Sequence, residues 1–240
     1  MTLYSDTTLP IPASIEALHN DELLSFARPG TWVTATQRTA IAAEARKARS
    51  EACIHESIGD ETLADLVELP ESARRVAHSV ALGGIGIDKK FCDQAQADGL
   101  TEGAYVEVVG VVARIVHLDV FARGIGVPSR KLGDPLEDKE PSMERPSVAK
   151  QESFFTASIP SAPEGGELAV SLFGSEPAAN IMRSLSLIPD EARRLNRVID
   201  QEYFSGDSMF NLTYSSREGI SRPQLELVAA KVSELNQCFY

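Results

Sequence analysis

Most of the chain shows the hydrophobic spacing and the end signals of α-helices. Thr34 and Gln37 have the spacing of a capping box, and strong helix formers then dominate residues 37–52. Pro70 can begin a second helix, because proline fits the first helical turn, and Gly83 can end it. This pattern continues through most of the sequence and predicts an all-α fold.

The most apolar segment runs from Glu102 to Arg123 and follows a shorter predicted helix over 88–98. Thr101 is placed to cap its first turn. The aliphatic residues lie on every side of a helix, and the segment is too long for one strand. A helix of this kind is typically buried in a larger assembly. We therefore expect a homodimer or a higher homo-oligomer.

Proline marks a change in the middle of the chain. Six of the 13 prolines lie in 126–166, and an irregular stretch of this length is unusual inside a compact domain. Weak alternation over 167–173 predicts a short strand, and helices resume at Pro177 and at Pro189. The predicted organisation is a helical domain over 1–128, a Pro-rich linker or arm over 129–176, and a second helical domain over 177–240.

The last predicted helix begins at a second capping box, formed by Ser221 and Gln224. Its apolar residues recur with the 3.6-residue period of one helix face. They are Leu225, Val228, Val232, Leu235 and Phe239.

Composition and charge exclude several classes of protein. Hydrophobic residues make up 43% and charged residues 24%, as in globular proteins, and the net charge is −12. A negative surface repels phosphate and anionic lipid, so we expect neither nucleic acid nor a membrane as a partner. The N-terminus lacks a signal-peptide pattern, and three cysteines are too few for a disulfide framework. These features predict a cytoplasmic protein.

Cys238 and Glu226 are candidates for chemistry near the end of the sequence. Cys238 would follow the last helix, either as a reactive thiol or as a small buried apolar residue. Glu226 lies twelve residues earlier, about 18 Å away along a helix axis. The two side chains can therefore meet only through a neighbouring element, and a first-turn glutamate also suits the helix dipole.

Two weaker clusters lie in the first half. Cys53, His55 and Glu56 place a thiol, an imidazole and a carboxylate within four residues, but a structural zinc site needs about four ligands. An incidental or structural role is the favoured interpretation of this cluster. Glu107 and His117 lie near one stripe of the apolar helix together with Arg114. We predict a Glu107–Arg114 ion pair and keep a proton relay as the alternative.

Familiar cofactor and catalytic motifs are absent from the sequence. The glycines after Leu82 lack the third glycine and the strand of a dinucleotide-binding loop. Neither a phosphate-binding loop nor a hydrolase nucleophile elbow occurs, and the zinc-protease motif is also missing. We therefore expect no cofactor and no metal.

Residues 222–240 resemble the core helix of alkylhydroperoxidase-like proteins, in the carboxymuconolactone decarboxylase superfamily. That helix carries a glutamate, then a Cys-x-x-Cys about a dozen residues later, and a histidine four residues past the second cysteine. Glu226 and Cys238 match the glutamate and the first cysteine. Residues 104–128 are similar to the helix that follows the cysteine motif. The resemblance implies one degenerate unit over 36–128 and the front part of a second over 177–240.

The chain departs from this motif in both units. Glu56 stands where the second cysteine belongs and Asp60 where the histidine belongs, and the second unit ends inside the motif. The resemblance implies thiol-dependent reduction of a peroxide, with a dithiol as reductant, if the motif is completed beyond Tyr240. We expect little turnover from the 240 residues as they stand.

Two alternative functions remain open. One is a cofactor-free lactone decarboxylase or isomerase of the same superfamily, in which Glu107 and His117 would act in place of thiols. The other is a helical oligomer without catalytic activity.

Overall fold

The computed structural model describes residues 2–136, 139–152, 155–204, 208, 211–215 and 218–238. Regular structure in these ranges is helical, which confirms the predicted all-α fold, and the one extended pairing among them is an isolated bridge between Lys150 and Ser158. The chain divides into two compact units, 1–195 and 196–240. The domain boundaries predicted from the sequence lie elsewhere and stay predictions.

The helices follow the sequence signals in order. In the described residues they are α1 (Ala13–Phe26), α2 (Ala35–Glu51), a short 3-10 helix (Asp60–Asp65), α3 (Glu71–Ala81), α4 (Lys89–Ala97), α5 (Glu102–Gly124), α6 (Gly166–Phe173), α7 (Asn180–Arg183), α8 (Pro189–Glu202) and α9 (Arg222–Leu235). The division between the two units falls within α8.

The core of the first unit forms around α5. This helix packs against α1, α2, α3 and α4, and the buried side of α2 is mostly alanine, which lets the two helices approach closely. The predicted caps are present: Thr34 accepts a hydrogen bond from the Gln37 N–H, and Thr101 accepts one from the Ala104 N–H. Because α5 is largely buried within its own unit, its apolar surface does not require a second copy of the chain. The homodimer stays a prediction.

Three local expectations are corrected. Residues 167–173 lie in α6 and not in a strand, and the buried Ala169 and Leu172 are spaced as on one helix face. The helix expected from Pro177 is reduced to the four residues of α7, where Ile181 is 51% exposed. The sequence reading also missed α1.

The proline-rich segment has little regular structure in its described residues, as expected, but backbone hydrogen bonds tie it to its own unit. The Leu132 N–H donates to Asp60 Oδ2 at 2.7 Å, and the Leu136 N–H donates to the Ala27 carbonyl at 2.8 Å. Leu132, Ala157 and Ile159 are buried. The segment therefore covers the helices of its own chain.

In the second unit, α9 begins at the predicted capping box, with the Ser221 N–H donating to Gln224 Oε1 at 2.9 Å. Its apolar stripe is largely exposed, reaching 70% at Leu235. Val228 and Val232 are also at least half exposed. The 3.6-residue period therefore predicted the helix correctly but does not mark a buried face here.

None of the helices in the described ranges combines the length and the apolar character that crossing a bilayer requires.

Candidate functional site

Glu226 lies in a small polar cluster of the second unit. The Tyr203 hydroxyl donates to Glu226 Oε2 at 3.0 Å, and Arg222 Nε donates to Glu226 Oε1 at 2.5 Å. The Arg222 guanidinium also lies 4.1 Å over the centre of the Phe204 ring. Burial raises the pKa of the Tyr203 hydroxyl, and the neighbouring carboxylate of Glu226 adds to the increase. The cluster holds Glu226 in place near the start of α9.

Cys238 lies just beyond the opposite end of α9 and is exposed. The helix ends at Leu235, Gln237 has a positive φ of 53°, and the Cys238 N–H donates to the Ser233 carbonyl at 2.9 Å. This is a helix C-terminus closed by a left-handed residue. The prediction that Cys238 follows the last helix is thus confirmed. Cys238 and Glu226 remain about 18 Å apart along the axis and do not touch through α9.

Cys53 and His55 lie in different environments. Cys53 is exposed, whereas His55 is partly buried, with a side chain that is 9% exposed and Nε2 4.0 Å from Asp119 Oδ2 on α5. Burial lowers the pKa of His55, although Asp119 opposes this change. The imidazole is therefore directed towards Asp119, and an activated thiol–imidazole pair at Cys53 gains no support.

Arg46 organises the residues around this histidine. Its guanidinium donates to Asp60 Oδ2 at 2.8 Å and to both carboxylate oxygens of Asp119, at 3.0 and 2.7 Å. It also donates to the Arg130 carbonyl at 2.8 Å. Asp60, which the resemblance places at the histidine position of the motif, thus belongs to a buried ion-pair network. This arrangement indicates a structural role for Asp60.

The predicted Glu107–Arg114 ion pair is wrong. Glu107 accepts hydrogen bonds from Arg38 and from the Trp32 N–H, whereas Arg114 donates to Glu22 and Glu191. Glu191 also accepts from Arg38 at 2.9 Å. These five charged side chains, Glu22, Arg38, Glu107, Arg114 and Glu191, form one buried network, which we call the α5 charge cluster.

The pKa values of two carboxyl groups of the α5 charge cluster shift in opposite directions. Burial raises the pKa of Glu107, with Arg38 opposing and Glu191 adding to the increase. Burial also disfavours ionisation of Glu191, but Arg114 and Arg38 outweigh it and lower its pKa. The two arginines therefore stabilise the ionised form of Glu191 by more than burial disfavours it.

Two glycines leave room for these carboxylates. A Cβ added at Gly30 would lie 1.5 Å from Glu107 Oε1, and one added at Gly110 would lie 2.4 Å from Glu191 Oε2. Gly110 lies inside α5, where glycine costs helix stability and needs a packing reason. It is the local signal in the sequence that could have indicated a close approach to α5.

His117 and Glu107 are not brought together. Ten residues of α5 separate them, about 15 Å along the axis. The His117 ring lies 6.0 Å from the ring of His19, whose Nδ1 is 2.7 Å from the Tyr4 hydroxyl oxygen. The pairing of Glu107 and His117 that a lactone enzyme would use thus has no geometric support.

Sequence reasoning missed the partners that define the α5 charge cluster and the cluster around Glu226. They are Glu22, Arg38 and Glu191 in the first unit, and Tyr203 and Arg222 in the second. Each is an ordinary charged or aromatic residue, distant in sequence from most of its contacts.

No family model matches the chain, and comparisons with curated proteins and with solved structures return no match.

Proposed function

We propose that the protein reduces a peroxide with the thiol of Cys238. The single observation that carries the proposal is the exposed position of Cys238 directly after α9, the helix whose sequence resembles the core helix of alkylhydroperoxidase-like proteins. A peroxide must reach the sulfur directly, so an exposed thiol is a condition for this chemistry. Cys92, by contrast, is buried, and burial raises the pKa of its thiol.

The proposed reaction is a two-electron transfer from sulfur to the peroxide. The Cys238 thiolate attacks one peroxide oxygen, the O–O bond breaks, and a sulfenic acid forms while the alkoxide takes a proton and leaves as an alcohol. One thiol of an external dithiol then attacks the sulfenic sulfur and releases water. The second thiol of the dithiol displaces Cys238, leaving an oxidised dithiol and the reduced protein. Because this resolving thiol must come from solution, we expect slow turnover, although each chain can reduce one peroxide without it.

Glu226 has a structural role in this proposal and takes no part in the reaction at Cys238. Its carboxylate is bound to Tyr203 and Arg222, and it is too far from Cys238 along α9 to exchange a proton with the thiol. Removing a general acid or base costs about 10²–10⁴ in rate. We expect Glu226→Gln to change the rate of Cys238 oxidation by less than about threefold, well outside that range.

The lactone alternative gains no support from the surroundings of its two residues. The Glu107 carboxylate is fully buried and is bound by Arg38 and by the backbone of Trp32. A substrate would have to displace these partners before the carboxylate could take a proton from it.

Trapping the sulfenic acid tests the proposal at the level of single residues. The reduced protein is treated with tert-butyl hydroperoxide in the presence of dimedone, and each cysteine is quantified by peptide mass spectrometry. We expect Cys238 to be labelled faster than Cys53, which is a matched control because it is also exposed. Equal labelling of both residues, or labelling of Cys53 alone, would contradict the proposal.

A further inference from the structure

A cavity of about 480 Å³ lies in the first unit, between α3, α5 and the segments around residues 155 and 184. Its apolar wall consists mainly of aliphatic side chains from α3 and α5. They include Val80, Val109, Val112, Ala113 and Val116, with Leu185 opposite. Neither the peroxide chemistry nor the charge cluster uses this cavity. Its volume falls within the range of about 300–1,000 Å³ that is typical of small-molecule sites.

We propose that this cavity binds an uncharged, largely hydrocarbon small molecule. None of the fourteen described residues that line it carries a charge, although the protein as a whole has a net charge of −12. A charged ligand would lose its hydration there without gaining a partner. The lining therefore disfavours charged ligands and favours ligands with an apolar surface.

The burial of the lining favours a small molecule over a protein surface. Val80, Val109 and Val116 are partly buried, and Val112 and Val106 are 0% and 2% exposed. A flat docking face would leave its apolar side chains largely exposed. A concave wall of partly buried side chains instead surrounds a ligand on several sides.

The few polar groups of the wall limit what the ligand can carry. They are the hydroxyls of Tyr105, Thr156 and Ser184. The Ser184 hydroxyl already donates to the Ile181 carbonyl, and the Tyr105 hydroxyl is hydrogen-bonded to Cys92. Each of these two oxygens can still accept a hydrogen bond. The Thr156 hydroxyl can donate as well as accept. The ligand class is therefore an apolar molecule with at most a few hydrogen-bonding groups.

Titration with Nile red, a neutral apolar dye, tests this inference in the full chain. We expect one dye per protein, and we expect Ala113→Leu, which adds three carbons inside the cavity, to weaken binding at least about tenfold. Val116→Phe fills the cavity from a second position and should act in the same way. The matched control Ala97→Leu adds the same atoms at an exposed site on α4 and should leave the affinity unchanged.

Two further measurements distinguish the other possible occupants. Val232→Ser removes part of the exposed stripe of α9, and loss of dye binding in this variant alone would overturn the inference. Light scattering measures the molecular mass of Ala113→Leu and of the unmodified protein, and so tests whether the cavity is a contact between copies of the chain. A different mass in the variant would identify such a contact and contradict the proposal. Absence of dye binding to the unmodified protein, or equal binding by all variants, would also contradict it.

Discussion

Replacing Glu191 by glutamine is expected to lower the free energy of unfolding by about 3–5 kcal/mol. The Glu191 carboxylate is buried and accepts from both Arg38 and Arg114. A glutamine of the same size keeps one acceptor oxygen but removes the charge that both guanidinium groups share. Arg38 would keep Glu107 and Arg114 would keep Glu22, but each guanidinium would lose the second carboxylate to which it donates. Removing one partner from a buried ionic network is costly, because the remaining buried charges lose hydrogen bonds that water cannot replace.

Glu191 also makes a contribution to the free energy of unfolding that depends on pH. Because the folded protein holds the pKa of Glu191 below its ordinary value of 4.5, its stabilising effect is fully present above pH 4.5 and is lost as the pH falls through the lowered pKa. Glu191→Gln has no such titration. The difference in unfolding free energy between the unmodified protein and the variant should therefore shrink as the pH is lowered below 4.5.

Urea unfolding followed by circular dichroism measures both effects. Asp190→Asn is the matched control, since Asp190 is the preceding residue of α8, is 75% exposed and pairs only at the surface with Arg193. Such surface pairs contribute about 0–1 kcal/mol. A Glu191→Gln variant whose free energy of unfolding lies within about 1 kcal/mol of that of the unmodified protein would show that the α5 charge cluster is not the ionic network described above.

Replacing Arg46 by methionine should have an effect of similar size, about 3–5 kcal/mol. Methionine retains much of the apolar stem but leaves the carboxylates of Asp60 and Asp119 buried without their shared cation. The Arg130 carbonyl loses its donor as well. Lysine restores the charge but not the planar guanidinium, which donates to all of these acceptors at once. Arg46→Lys should therefore recover only part of the lost free energy of unfolding.

Thermal and urea unfolding of Arg46→Met and Arg46→Lys distinguish the effect of the positive charge from the effect of the hydrogen-bond geometry. Arg193→Met is the control, because the Arg193 side chain is 47% exposed and its removal should cost less than about 1 kcal/mol. Full recovery by Arg46→Lys would mean that charge alone stabilises the network. An Arg46→Met variant as stable as the control would mean that the two aspartates do not depend on Arg46.

Helices with local end signals could be predicted from the sequence. Thr34 and Thr101 satisfy N–H groups within the next few residues, and this information lies entirely in the neighbouring sequence. Helix α1 was missed because its N-cap residue, Pro12, provides no side-chain cap, and its buried residues include His19 and Glu22. Polar residues on the inner face conceal the apolar period on which sequence reasoning depends.

The polar clusters could be predicted only in part. The sequence identified Glu107 and Arg114 as buried charges, but it paired them with each other because both lie on one helix. Their actual partners, Arg38 and Glu191, come from α2 and α8, 69 and 77 residues away. The spacing of charges within one helix does not indicate which other helix will pack against it. Tyr203 and Glu226, separated by 23 residues, present the same difficulty.

The most direct test of the proposed function is the stoichiometric consumption of peroxide by the reduced protein without added dithiol. The protein, at a known thiol concentration, is mixed with a slight excess of tert-butyl hydroperoxide, and the remaining peroxide is measured over time. The proposal predicts a rapid phase of one equivalent per chain that is retained by Cys53→Ser and lost in Cys238→Ser. A rapid phase that persists in Cys238→Ser would contradict it, as would the absence of a rapid phase in the unmodified protein.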